Sequence, residues 1–304
     1  MPINYTAVSY SGTLGAPADP LRTIGLYKHS SASEYPPFWF IFIHGGAWRD
    51  PRINHTDGLP LISALLEKYP KSLACASIDY TLAKPLDGSN GRGAQHPDFT
   101  LDTLAALTYL RTHHRVDQFA ISGHSAGAFM SLQIFIEPKV LLNPVYKSVS
   151  LYTTLFDQNI TTTKLLNDLE ETTNFAREKC AAVFGISGIY SLPLLPIEDA
   201  SYTGFTEEAF GTDQALWEIS SVVPYIKDHV APFPSSNAFK LIIIYSKSDE
   251  LLNPKFQPVK GPELYIPILG EKNVIVEETS GLHDESYKVQ RTADIVDKYL
   301  AEYF

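Results

Sequence analysis

A chain of 304 residues, 44% hydrophobic and 19% charged with mean hydropathy near zero, has the make-up of a soluble globular protein with a sizeable core, expected as one domain. Its formal charge of −10 and its lack of any Lys/Arg cluster exclude nucleic acid as the natural partner, because that binding rests on neutralising phosphates. Apolar stretches are far too short for a membrane span, and two cysteines, Cys75 and Cys180, are too few for a disulfide framework and read as small buried hydrophobes.

The opening residues, Met1 to Tyr5, lack the basic start and apolar run of a secretory signal. A cytoplasmic location is therefore expected, where the Asn-x-Thr sequons at Asn4, Asn54 and Asn159 carry no weight. Residues 38–43, an unbroken apolar run, read as the first buried strand. His44-Gly45-Gly46-Ala47-Trp48 follows at once. Small residues directly after a strand let backbone N–H groups turn toward a developing oxyanion, and Gly45, Gly46 and Ala47 are the candidates for that loop. His44 and Trp48 are expected to support it, with Trp48 walling the pocket.

A second strand is expected at 73–78, then a glycine-rich polar loop within 85–97 and an amphipathic helix over 98–110. The strand at 119–122 runs into Gly123-His124-Ser125-Ala126-Gly127 and a helical stretch over 126–136. A GxSxG sequence between strand and helix places its serine on a strained turn at a helix N-terminus. Ser125 is thus the candidate nucleophile, and the N–H of Ala126 the further oxyanion donor.

The mixed charge of 159–179 predicts a solvated helix, and 181–186 another strand. Prolines and aromatics crowd 191–234, the candidate cap over the site. Strands at 241–245 and 274–276 and a final amphipathic helix over 284–304 complete an alternation that implies a mostly parallel sheet covered on both faces. The first of these strands leads into Ser248-Asp249-Glu250 and the second into Gly281-Leu282-His283. Asp249, with Glu250 as fallback, is the candidate orienting carboxylate, and His283, last in the order Ser, Asp, His, is the candidate base. His229 lies before a strand and does not fit. No cluster of His, Asp and Glu asks for a metal, and acyl transfer to water needs no cofactor.

These residues resemble the fungal-type kynurenine formamidases, α/β hydrolases whose oxyanion motif has the form HGGxW. The likeness rests on His44 through Pro51, the nucleophile motif, Gly188-Ile189-Tyr190-Ser191-Leu192, Val223-Pro224-Tyr225-Ile226-Lys227, Ser248 through Leu252 and Gly281-Leu282-His283. It runs from about the first core strand to the final helix. The resemblance implies hydrolysis of an aryl formamide, N-formyl-L-kynurenine, to formate and L-kynurenine. The expected partner is that small molecule, with neither nucleic acid nor membrane, and a homodimer is left open. HGGxW with GxSxG also occurs in other esterases, so a general carboxylesterase is the alternative, and a non-catalytic receptor on the same fold the more distant one. A formyl group needs almost no acyl pocket, so the binding surface should lie on the leaving group; Trp48, Tyr190 and Trp217 are candidates for that flat apolar wall.

Overall fold

The computed structural model describes residues 2–83, 93–147, 149–152, 155, 160–220, 233–234 and 239–304. Eight strands form one sheet: β1 (Ile3–Ser9), β2 (Thr23–His29), β3 (Phe38–Ile43), β4 (Leu73–Ile78), β5 (Gln118–His124), β6 (Cys180–Ile186), β7 (Lys240–Ser246) and β8 (Val274–Thr279). Their spatial order is β1-β2-β4-β3-β5-β6-β7-β8. From β4 to β8 all pairings are parallel, whereas β1 and β2 are joined antiparallel to each other and β2 antiparallel to β4.

The parallel strands were visible as apolar runs because both faces are covered. β3 shows it directly: Trp39, Ile41 and Ile43 enter one core and Phe38, Phe40 and Phe42 the other. On the first face lie the helices α2 (Asp98–His113), α3 (Ala126–Gln133) and Ile160–Lys179; on the second, α1 (Leu59–Lys68) and Gln290–Leu300. β1 gave no such run, since it is a mostly exposed edge strand. The helix Gln257–Leu269 was hidden by Pro262 and Pro267 inside it.

Two helical expectations are corrected. The last helix begins at Gln290, not 284, because His283–Glu285 forms a separate single 3-10 turn. The helix Ile160–Lys179 is not solvated all round: Leu169, Thr172, Thr173 and Ala176 are buried, with the Thr172 hydroxyl 2.6 Å from that of Thr108 on α2. Residues 86–92 of the glycine-rich stretch and 221–232 of the candidate cap lie outside the described residues. So do the likeness at 223–227 and His229. The described part of the cap includes the helices Tyr202–Phe210 and Gln214–Ser220. Both cysteines are buried and free, and burial pushes both thiols up, away from the reactive thiolate. No helix among the described residues is long and apolar enough to cross a membrane.

One fully buried ion pair ties the start of β2 to α2. Arg22 Nε donates to Asp102 Oδ1 at 2.8 Å, and Asp102 also accepts from Thr81 N at 2.8 Å, the Thr81 hydroxyl at 2.6 Å and the Tyr152 hydroxyl at 2.6 Å. Removing one partner of such a pair leaves a buried charge uncompensated. Arg22→Met should therefore cost about 3 to 5 kcal/mol in a urea titration, with the slope unchanged.

Candidate active site

The carboxyl end of β5 turns directly into α3 through Ser125, whose φ of 53° and ψ of −118° are unusual for a residue with a side chain. Such a conformation costs on the order of 1 to 3 kcal/mol and persists only where its surroundings fix it. Here they do. Ser125 N donates to Ile186 O at 3.0 Å at the end of β6, and Ser125 O accepts from Ala128 N at 3.1 Å and Ile189 N at 3.3 Å. The flanking glycines are steric requirements. A Cβ on Gly123 would sit 2.1 Å from the backbone of Gly127, and one on Gly127 would sit 2.2 Å from Ile43 O in β3.

That contact brings the end of β3 against the strand-to-helix elbow at Ser125, so the loop after β3 lies beside the serine. A Cβ on Gly45 would meet His124 Nδ1 at 2.8 Å and Ser125 Cβ at 3.0 Å. Gly46, Ala47 and Trp48 all take positive φ, at 93°, 48° and 58°. Gly46 O accepts from the N–H groups of Arg49 and Asp50, both at 2.9 Å, and the Tyr80 hydroxyl donates to Gly45 O at 2.6 Å. His44 stacks on Tyr80 with ring centres 4.4 Å apart, and its Nε2 is 3.5 Å from Asp79. Burial pushes the His44 pKa down, so the ring stays neutral behind the loop.

His283 Nδ1 lies 2.9 Å from Asp249 Oδ2 and 3.0 Å from Oδ1. Asp249 Oδ1 also accepts from Leu251 N at 3.0 Å and Leu252 N at 2.8 Å. Burial alone would raise the Asp249 pKa, but the His283 contact and the amide donors outweigh it, and the carboxyl is held below its usual range. Three further contacts fix the backbone of His283. Its N–H donates to Glu250 Oε2 at 2.8 Å, and its carbonyl lies 3.0 Å from His124 Nε2 and accepts from the Ser286 hydroxyl at 2.9 Å. Burial and the neighbouring His283 press the His124 pKa far down, leaving a neutral ring to support the loop.

Ser125, His283, Gly46 and Ala47 line one cavity of about 260 Å³. Asp249 stands behind His283, and Gly45 packs under the serine. A larger hollow of about 930 Å³ opens beside Asp249 and Glu250, but neither Ser125 nor His283 lines it. The chemistry therefore favours the smaller cavity.

The expected pocket wall is corrected. Trp48, Tyr190 and Trp217 are fully buried and do not line the cavity. Trp48 packs in a nest of Phe99, Phe129, Phe205 and Phe210, while the Tyr190 hydroxyl donates to Gly185 O at 3.1 Å and Trp217 Nε1 to Gly211 O at 2.9 Å. Tyr190 and Trp217, with their polar tips on backbone carbonyls, and Trp48, enclosed by phenylalanines, therefore serve the core. The apolar wall is instead Ile189, Tyr202, Phe205, Leu251 and Leu252, of which Tyr202 and Phe205 belong to the candidate cap. No metal cluster is expected from the sequence, yet the ligand atoms of His124, His283 and Asp284 lie within 4.8 Å of one another. His124 lies 159 positions before the adjacent His283 and Asp284, so the group gives no spacing signal.

This sheet, with a strained serine at its carboxyl edge, makes the protein an α/β hydrolase. The chain belongs to the BD-FAE family, whose model matches residues 25–254. It is 28% identical to the kynurenine formamidase of Meyerozyma guilliermondii, over 95% of this chain and 93% of that one. It is 26% identical to the kynurenine formamidase of Saccharomyces cerevisiae, over 84% and 86%. Its fold is similar to Esterase B from Lactobacillus rhamnosis, with a TM-score of 0.63 at 14% identity, covering 99% of this chain and 85% of that one. It is likewise similar to a truncated carbohydrate esterase from gut microbiota, with a TM-score of 0.63 at 15% identity over 98% and 96%. The protein is a hydrolase of the formamidase and esterase group.

The two acidic residues after β7 should separate in steady-state assays. Asp249→Asn, which presents the wrong group to His283, should lower kcat about 10⁴-fold. Glu250→Gln keeps an oxygen for the His283 N–H and should cost under about threefold, whereas Glu250→Ala should cost about tenfold.

Proposed function

We propose that the protein hydrolyses N-formyl-L-kynurenine to formate and L-kynurenine, using Ser125 as nucleophile, His283 as base and Asp249 as its orienting group. The observation that carries the mechanism is the shared cavity: Ser125 and His283 face the same space as Gly46 and Ala47, with His283 Nδ1 already committed to Asp249. The kynurenine formamidases among its relatives support the substrate.

His283 Nε2 takes the hydroxyl proton of Ser125 as the oxygen attacks the formyl carbon. The resulting oxyanion forms at the loop of Gly45, Gly46 and Ala47, with Ala126 N–H at the start of α3 adding a further donor. Each such donor contributes about 3 to 4 kcal/mol to the transition state. The imidazolium then gives its proton to the departing aniline nitrogen, and L-kynurenine leaves a formyl ester on Ser125. A water deprotonated by His283 attacks that ester and releases formate. Asp249, ionised throughout, keeps the imidazole in the required tautomer and balances its charge. The substrate is a small molecule met in the cytoplasm, with no nucleic acid or membrane needed; a homodimer is compatible with this chemistry.

The esterase neighbours favour a second reading, a general carboxylesterase with the same residues. The acyl pocket separates the two. On a fixed aryl leaving group, kcat/KM should fall steeply from formyl through acetyl to butyryl. The first step should exceed the difference in carbonyl reactivity by about the 1 to 3 kcal/mol that excluding one methyl group provides. A flat or rising series would select the carboxylesterase. In the same assays Ser125→Ala should lose activity on the order of 10⁴-fold or more with its melting temperature little changed.

A further inference from the structure

Four charged side chains border the cavity of Ser125: Arg49, Asp50, Arg52 and Asp284. Nothing in the acyl-transfer chemistry uses them. The charged border and the apolar wall of Tyr202 and Phe205 belong to the same small cavity, an arrangement suited to a flat ring carrying a zwitterion.

Arg49 is the best placed of the four. Its backbone N–H donates to Gly46 O at 2.9 Å, so the residue hangs from the oxyanion loop itself. Its Nη1 donates to Glu208 Oε1 at 3.1 Å and Oε2 at 2.9 Å, and its guanidinium carbon lies 5.7 Å from the centre of the Phe205 ring. Glu208 and Phe205 both lie on the helix Tyr202–Phe210, so the guanidinium is held from two sides. Its side chain remains 45% exposed. Glu208 engages Nη1, and a guanidinium carries five N–H donors in a rigid fork, so one arginine can serve two carboxylates. Arg52, by contrast, is 87% exposed and given over to Asp50, with Nε 2.9 Å from Oδ1 and Nη2 2.6 Å from Oδ2.

We propose that Arg49 binds the α-carboxylate of the substrate's amino-acid end, with the Asp284 carboxylate beside His283 facing its ammonium. This rests on the formamidase reading and adds the group that would make the enzyme prefer amino-acid formamides over neutral ones. Arg49 is a specificity residue here; it takes no part in proton transfer.

The test is a cycle that removes the two partners separately. Wild type, Arg49→Met and Glu208→Gln are assayed with N-formyl-L-kynurenine and with its α-methyl ester, which lacks the negative charge; thermal melts check folding. A lost charge-assisted pair corresponds to about 10- to 100-fold. Esterifying the substrate should thus cost the wild type about 10- to 100-fold in kcat/KM, mostly in KM, and Arg49→Met under about threefold. Glu208→Gln should keep the wild type's sensitivity to esterification. If Arg49→Met loses the same factor on acid and ester, Arg49 merely braces the helix of Glu208 and the proposal fails. Should the wild type not turn over the formamide at all, the reaction reading falls instead. The same cycle with 4-nitrophenyl esters bearing or lacking a carboxylate then decides Arg49: equal losses overturn its role, and unequal losses uphold it.

Discussion

The close approach of β5, α3 and the end of β3 is the constraint on which the rest of the site depends. Two glycines make it possible, since a Cβ at Gly123 or Gly127 would sit 2.1 or 2.2 Å from backbone atoms. The packing forces the chain to turn from strand to helix in one residue, and that residue, Ser125, takes a positive φ with its side chain at the cavity. The same packing pulls the carbonyl end of β3 under the elbow. Gly45 is thereby pressed against Ser125, and Gly46 and Ala47 emerge beside it. The positions of Ser125 and of the loop Gly45 to Ala47 are thus two results of one steric fact.

The third component arrives from the other end of the sheet and is placed by hydrogen bonds more than by packing. β7 and β8 pair in parallel, so their following loops emerge side by side. Asp249 holds the ring of His283 while Glu250 holds its backbone N–H, and His124, next to Ser125, reaches across to the His283 carbonyl. His124 therefore couples the elbow to His283, with its own ring kept neutral by burial. The x position of GxSxG before the serine has a structural task here that the motif does not announce.

How much of this was legible in the sequence follows from the kind of signal each part leaves. Buried parallel strands leave apolar runs, and a strained elbow leaves glycines at fixed spacing. β3 to β8 and the residues Ser125, Asp249 and His283 could therefore be named in order; Ser125 and His283 line one cavity, and Asp249 is hydrogen-bonded to His283. Their catalytic roles belong to the proposal. The edge strand β1 and the proline-interrupted helix Gln257–Leu269 leave neither signal. The pocket wall was misread for a physical reason. Trp48, Tyr190 and Trp217 are conspicuous by type, but whether a ring faces a core or a cavity depends on tertiary packing, which composition does not encode. The pairing of Arg49 with Glu208 joins residues 159 positions apart. No local pattern could have shown it, although Arg49 follows directly on His44-Gly45-Gly46-Ala47-Trp48, where a basic residue on the oxyanion loop could have been noticed.

The central claim is that the strained serine of the elbow is an activated nucleophile. Its most direct test is reaction of the native protein with a fluorophosphonate, followed by peptide mapping of the adduct. One adduct per chain should form, on Ser125, and much more slowly when His283 is replaced by Ala. Labelling at any other residue, or no labelling of a folded protein, would contradict it.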